Sequence, residues 1–222
     1  MALILDVECY KDYFLVCFMN RENGKVASFE MFADKKLNVA RVSNLMHQNQ
    51  TISFNGNHYD LPMIAAALQN RDCAEMKRIS DEIITSGKSS WRVCQDEGIA
   101  IPSEWDHIDV IDVVPGQASL KIYAGRLGYP KLQDLPVEPS ASISIAQREL
   151  LRAYCVNDLR VTDALYRAVE KQVALRVDMS AEYGVDLRSK SDAQIAETVL
   201  RSEVQAMSGK TLRVPKVGDD AT

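Results

Sequence analysis

Several features are scarce in this sequence, and each scarcity narrows the function. The five cysteines (Cys9, Cys17, Cys73, Cys94 and Cys155) are odd in number and contain no C-x-x-C pair. Neither a disulfide framework nor a zinc site is therefore expected, and the thiols read as reduced packing residues. The three scattered histidines point the same way. No stretch approaches the run of about 18 apolar residues that a membrane-spanning helix needs, and no basic segment leading into an apolar one opens the chain. A soluble, cytoplasmic protein without a membrane partner is the expectation. Excess positive charge is missing as well: 26 Lys and Arg stand against 31 Asp and Glu, a formal charge of −5. Such a balance argues against a tight, sequence-independent duplex binder, yet it allows an acidic metal site beside a local basic track. Internal repeats and low-complexity tracts are also absent.

What is present is ordinary for a globular chain: 222 residues, 46% hydrophobic and 26% charged, long enough for one large core with an appendage. The first third reads as a β-meander with strands at 2–8, 13–19 and 25–32, the last two joined by a tight turn at Asn23-Gly24. A short helix at 37–48, a fourth strand at 51–55 and a helix from Leu61, with Pro62 in its first turn, come next. The spacing of Met76, Ile79 and Ile83 predicts a helix over 73–87, ending at Gly87. Residues 88–106 read as irregular, with Trp91 and Trp105 assigned to the core. "HIDVIDVV" (107–114) reads as a fifth strand, "SLKIYAGRLG" (119–128) as a helix, and 129–142 as a proline-punctuated loop. Capping boxes at Ser144/Gln147 and Ser191/Gln194 open a long helical stretch over 145–182, with a bend, and a final helix over 189–207. The tail at 215–222 reads as frayed. This order predicts a mixed five-stranded sheet, three antiparallel strands and then parallel additions, flanked by helices in the manner of an RNase H-like fold. The division expected is a domain over 1–183 and a C-terminal helix and tail over 184–222.

Three segments carry acids where acids are costly. In "LILDVECY", Asp6 and Glu8 are two apart on an apolar strand and so share one face; adjacent carboxylates there repel and resist desolvation unless a positive charge lies between them. In "LLRAYCVNDLRVTDAL", Leu151, Tyr154, Asp158, Val161 and Leu165 recur at steps of three or four, which puts Asp158 in the middle of an apolar helix face with Tyr154 one turn earlier. In "SFNGNHYDLPMI", Asp60 stands between a short strand and a helix. Each has a plain alternative: solvated strand-end charges for Asp6 and Glu8, a helix N-cap for Asp60, an exposed or bend position for Asp158, core packing for Tyr154. Taken together, carboxylates converging without histidine or cysteine suit hard, oxygen-preferring divalent ions, Mg²⁺ or Mn²⁺.

"LDVE", "NGNHYD" and "YCVND" resemble the three motifs of the DEDD 3′→5′ exonucleases of the DnaQ-like, RNase H-like superfamily. The match supplies D-x-E at Asp6 and Glu8, N-x-x-x-x-D at Asn55 and Asp60, and Y-x-x-x-D at Tyr154 and Asp158, over about residues 2–170. Tyrosine four residues before the last aspartate is the mark of the tyrosine subclass. "FNGNHYDLPMI" and "SLKIYAGRLG" are most similar to proofreading domains of replicative DNA polymerases, including bacteriophage enzymes. "DLRSKSDAQIAETVL" resembles the segment just beyond the exonuclease domain in phage polymerases.

The resemblance implies two divalent cations held by Asp6, Glu8, Asp60 and Asp158, with Asp60 acting mainly through a water shell and Tyr154 orienting the attacking water. It implies release of nucleoside 5′-monophosphates from single-stranded or frayed DNA 3′ ends, in a viral or bacterial replication context. Cys9, Tyr10 and Asn55 are the candidates for touching the terminal nucleotide, and Lys121 for a phosphate. No palm-like polymerase motif occurs in these 222 residues, so a stand-alone nuclease and a partner polymerase domain in cis or in trans both stay open. Two other readings compete: an RNase D-like RNA exonuclease, and a non-catalytic module that binds nucleic acid or a polymerase.

Overall fold

A computed structural model describes residues 1–211 of the chain. Five strands form one mixed sheet in the spatial order β3-β2-β1-β4-β5. They are β1 (Ala2–Tyr10), β2 (Tyr13–Asn20), β3 (Val26–Phe32), β4 (Gln50–Ser53) and β5 (His107–Asp109). The first three are antiparallel, and β4 and β5 add in parallel. β1 is buried on both faces, which is why it reads as a nearly continuous apolar run. Its alternate residues Leu3, Leu5, Val7 and Cys9 point into a core shared with α1 (Val39–Gln48), α2 (Asp60–Leu68), α3 (Cys73–Thr85) and α4 (Ser90–Glu97). Ile4 and Tyr10 point to the other side, where α5 (Leu120–Arg126) and α6 (Ile145–Ala168) complete a second core.

The seating of α6 decides where the late acidic residue falls. Ser144 caps its first turn in a capping box with Gln147, and the Asp12 carboxylate accepts the Ile143 amide at 2.8 Å. Arg152 donates to Glu30 at 2.7 Å, a carboxylate that also accepts the Tyr13 hydroxyl. The fully buried row is Leu151, Cys155 and Leu159, one position round from the row expected. Tyr154 and Asp158 are therefore half-buried at the rim of the apolar face, not in its middle. The helix breaks at Val169, and α7 (Glu170–Tyr183) continues to Gly184, whose left-handed backbone ends it (φ +65°). The second capping box opens α8 (Asp192–Ser208).

Three assignments from sequence are corrected. Residues 88–106 contain α4, capped by the Ser89 hydroxyl and closed by Gly98 at φ +65°. Trp105 is buried as expected, but Trp91 is 68% exposed. The fifth strand ends at Asp109, because the Asp109 side chain accepts the Ile111 amide and turns the chain, while Val113 and Val114 return their amides to the Val110 carbonyl. The tail at 215–222 lies outside the described residues.

The face of α6 that meets the sheet is testable by a paired truncation. Leu151→Ala should lower the unfolding free energy by about 2–5 kcal/mol. Its 56%-exposed neighbour, as Leu150→Ala, should change it by less than about 0.5 kcal/mol in the same urea titration.

Candidate metal centre

The centre begins with the alternation of β1. Asp6 and Glu8 fall between Ile4 and Tyr10 on the α6 face, and pairing with β2 at Asp6↔Cys17 and Glu8↔Leu15 holds them in register. On its other edge β1 pairs with β4 only at Ala2, Leu3 and Ile4. Beyond Ile4 that edge is free of strand pairing, and the first turn of α2 brings Asp60 against the Val7 amide there. From the opposite side α6 presents Asp158. Carboxylate oxygens of Asp6, Glu8 and Asp158 all lie within 4.8 Å of one another. Asp60, buried at 3% exposure, stands outside that trio yet close enough for its charge to act on Glu8 and to feel Asp6.

The electrostatics follow from this crowding. Burial, followed by the Asp158 charge, raises the Asp6 carboxyl to about 7. Burial raises Asp158 to about 6, against a lowering from the neighbouring polar side chains of Tyr154 and Asn157. Glu8 and Asp60 are pushed well above the usual carboxylate range, first by burial and then by Asp6. Among the described residues, no lysine, arginine or histidine is a leading contributor at any of the four. Acids gathered in a desolvated cleft are relieved by protonation or by a cation, and a donor set of oxygens alone suits a hard divalent ion. The Asp6, Glu8 and Asp158 trio can hold one.

The other expected residues separate into those at this cleft and those away from it. Tyr154 faces Asp158, and burial followed by that charge raises its phenol above the ordinary value, so the hydroxyl keeps its proton and acts as a donor. Between α5, residues 131–133 and α6 lies a cavity of about 170 Å³, lined by Lys121, Tyr154, Asn157 and Asp158 among others. Lys121 stands on its rim, paired with Asp134. Asn55 is half-buried in the turn before Asp60, with a left-handed backbone (φ +67°). Cys9 and Tyr10 correct the sequence reading as candidates for touching a nucleotide. Cys9 points to the opposite face of the sheet, into the core around α3, where burial pushes its thiol up to about 12. Tyr10 is 1% exposed and its hydroxyl donates to the Val137 carbonyl at 3.4 Å. Asp60 is not an N-cap: Tyr59 occupies that position and Asp60 is the first helical residue.

Sequence reasoning missed the framework below the Asp60 turn. His107 is buried, and its ring nitrogens bond Thr51 Oγ1 at 2.9 Å and Ser53 Oγ at 3.0 Å. Desolvation pushes this imidazole down to about 3, so it is neutral. Gly56 packs directly on the pair: a Cβ there would collide with Ser53 Oγ and approach His107 Nε2 to 3.1 Å. Asp109, 1% exposed, accepts the amides of Asn55 and Asn57. The visible signal was an aspartate at the end of a short apolar strand and a glycine between two asparagines. Neither indicates its partner without the fold. Comparisons of the chain with protein-family models, curated proteins and solved structures found no match.

Two outcomes test this geometry without reference to any activity. Asp6 and Asp158 titrate higher when folded than when unfolded, so the ion-free chain binds protons more readily folded. The acidic cluster therefore contributes stability that is fully present at acid pH and is lost as pH rises from about 4 to 7, against the opposite contribution of the buried neutral His107. At pH 7.5 in chelator, Asp158→Asn should raise the unfolding free energy by about 1–3 kcal/mol and flatten that slope; a lower thermal midpoint for the variant contradicts the crowding. Gly56→Ala should destabilise the chain by about 1–3 kcal/mol, because Ser53 cannot yield without leaving His107. Thermal melts check both.

Proposed function

We propose that the chain is a divalent-metal-dependent 3′→5′ exonuclease of the DEDD type, built on an RNase H-like fold and acting on single-stranded or frayed DNA 3′ ends. The observation that carries the reading is the meeting of Asp6, Glu8 and Asp158 oxygens within 4.8 Å, from two elements far apart in sequence, with no basic partner. Further support comes from the sheet order β3-β2-β1-β4-β5 with its antiparallel-then-parallel sense, which is the order expected of that fold. The three motifs also converge: Asp60 bears on Asp6, and Tyr154 on Asp158.

In this reading Asp6, Glu8 and Asp158 would hold the divalent cations, with Asp60 supporting them from beside the trio. When bound, Mg²⁺ or Mn²⁺ supplies Lewis acidity toward phosphate oxygens and a more acidic water. The chain's own contribution is positional. Tyr154 keeps its proton and orients a water by hydrogen bonding, since a raised phenol is a poor base at neutral pH. The cavity beside Tyr154 and Asp158 is open to a phosphate approaching past Lys121, whose ammonium Asp134 shares. Hydrolysis would release nucleoside 5′-monophosphates one at a time. The motif resemblance sets this activity beside a replicative polymerase of phage type, in cis or in trans, as proofreading.

Cleavage of 5′-labelled single-stranded DNA and RNA of one sequence, with Mg²⁺ or Mn²⁺, is the test. DNA should shorten in a ladder from the 3′ end. The double variant Asp6→Ala, Glu8→Ala should lose about 10³-fold or more of the rate while keeping its far-UV spectrum. Shortening of RNA alone overturns the substrate assignment, and undiminished cleavage by the double variant removes these carboxylates from the reaction.

A further inference from the structure

Asp109 is outside the acidic trio, yet its carboxylate is engaged more fully than any other near it. Oδ1 accepts the Asn55 amide at 2.8 Å and the Ile111 amide at 3.2 Å, and Oδ2 accepts the Asn57 amide at 2.9 Å. Two of these three donors belong to the turn that delivers Asp60. That turn is one connected piece. The amides of His58 and Tyr59 return to the Asn55 carbonyl, and the Leu61 amide to the Gly56 carbonyl, so the turn runs into α2 without a free joint. Asn55 holds a left-handed backbone that residues with a Cβ rarely adopt, so it needs an external constraint. Gly56 is pressed against Ser53 and His107 from below. Asp109 is itself anchored: it pairs with Ser53 across β4 and β5, and its own amide donates to Ser189 Oγ at 2.8 Å.

We infer that Asp109 is a positioning residue of the metal centre, its carboxylate clamping the 55–57 turn and thereby fixing Asp60 beside Asp6 and the Val7 amide. The inference rests on the nuclease reading of that centre. A carboxylate that only completes a buried turn would support stability and nothing more; one that sets the place of Asp60 also supports metal binding and rate. Partners of this kind, which act through a ligand, typically carry about 10–100-fold of metal affinity or activity.

Asp109→Asn sets an amide N–H against a main-chain N–H at Asn55 or Asn57. Mg²⁺ is titrated into wild type and variant, with cleavage of 5′-labelled single-stranded DNA and the thermal midpoint both recorded. The expected result is a rise in the Mg²⁺ concentration for half-maximal cleavage and a fall in the saturated rate, each about 10–100-fold, with a smaller Mg²⁺-induced rise in midpoint. A variant that melts earlier but keeps the wild-type rate and Mg²⁺ dependence overturns the inference. If the variant does not fold, Asp109→Glu, which keeps the charge and moves the acceptor oxygens, is read in the same Mg²⁺ titration: a raised half-maximal Mg²⁺ concentration supports the clamp, and wild-type Mg²⁺ dependence overturns it. A wild type that neither cuts nor gains stability from Mg²⁺ sinks the nuclease reading itself. A cutting wild type beside an unimpaired D109N removes the inference alone.

Discussion

The repulsion among Asp6, Glu8, Asp60 and Asp158 is the constraint around which the rest of the molecule is arranged. Burial, followed by neighbouring charge, raises the proton affinity of Asp6, Glu8 and Asp60, and burial raises that of Asp158. An isolated fold would relieve this by supplying an arginine or lysine. Basic side chains are plentiful in this chain, and several are engaged with other acids, such as Arg21 and Arg167 with Asp163 and Arg152 with Glu30. Among the described residues, none forms an ion pair with any of the four. The fold thus gathers four carboxyl groups beside a cavity of about 170 Å³, where each resists ionising.

Holding that region together requires rigid elements on three sides. β1 is fixed by a full ladder to β2, but its partial pairing with β4 opens the edge where Asp60 enters. α6 is clamped to the meander by Arg152–Glu30 and by the Asp12 cap on Ile143. The Asp60 turn is held from beneath by His107 through Ser53 and from the side by Asp109. Each of these supports is a hydrogen bond shielded at least in part from water, where directionality fixes position well.

Much of the fold was legible because its signals were local. The Asn23-Gly24 turn, the capping boxes at Ser144 and Ser191, and the stop at Gly184 each act within a few residues, and each is found in place. The helix over Ser90–Glu97 escaped because its buried row, Ser90, Val93 and Cys94, has only two apolar members, and its largest apolar residue, Trp91, faces outward. Its cap at Ser89 and stop at Gly98 were the only signs. The fifth strand was overextended because Val110, Val113 and Val114 are as apolar as a strand, and what ends the strand is the Asp109 side chain bonding the Ile111 amide. The tilt of α6 was misjudged by one position, since periodicity gives the width of an apolar face but not which edge the sheet covers.

The sequence by itself determined that carboxylates sit on apolar elements, that two of them share a strand face, and that a tyrosine precedes the last by one helical turn. Those are matters of fixed backbone geometry, readable at period two or 3.6. Only the tertiary structure decided that the acids share one volume without a counter-charge. It alone turned Cys9 and Tyr10 into packing residues on opposite faces, and made Asp109 and Gly56 the supports of a turn fifty residues from one of them. Contacts between residues remote along the chain depend on how sheet and helices pack in space, and no local period encodes that.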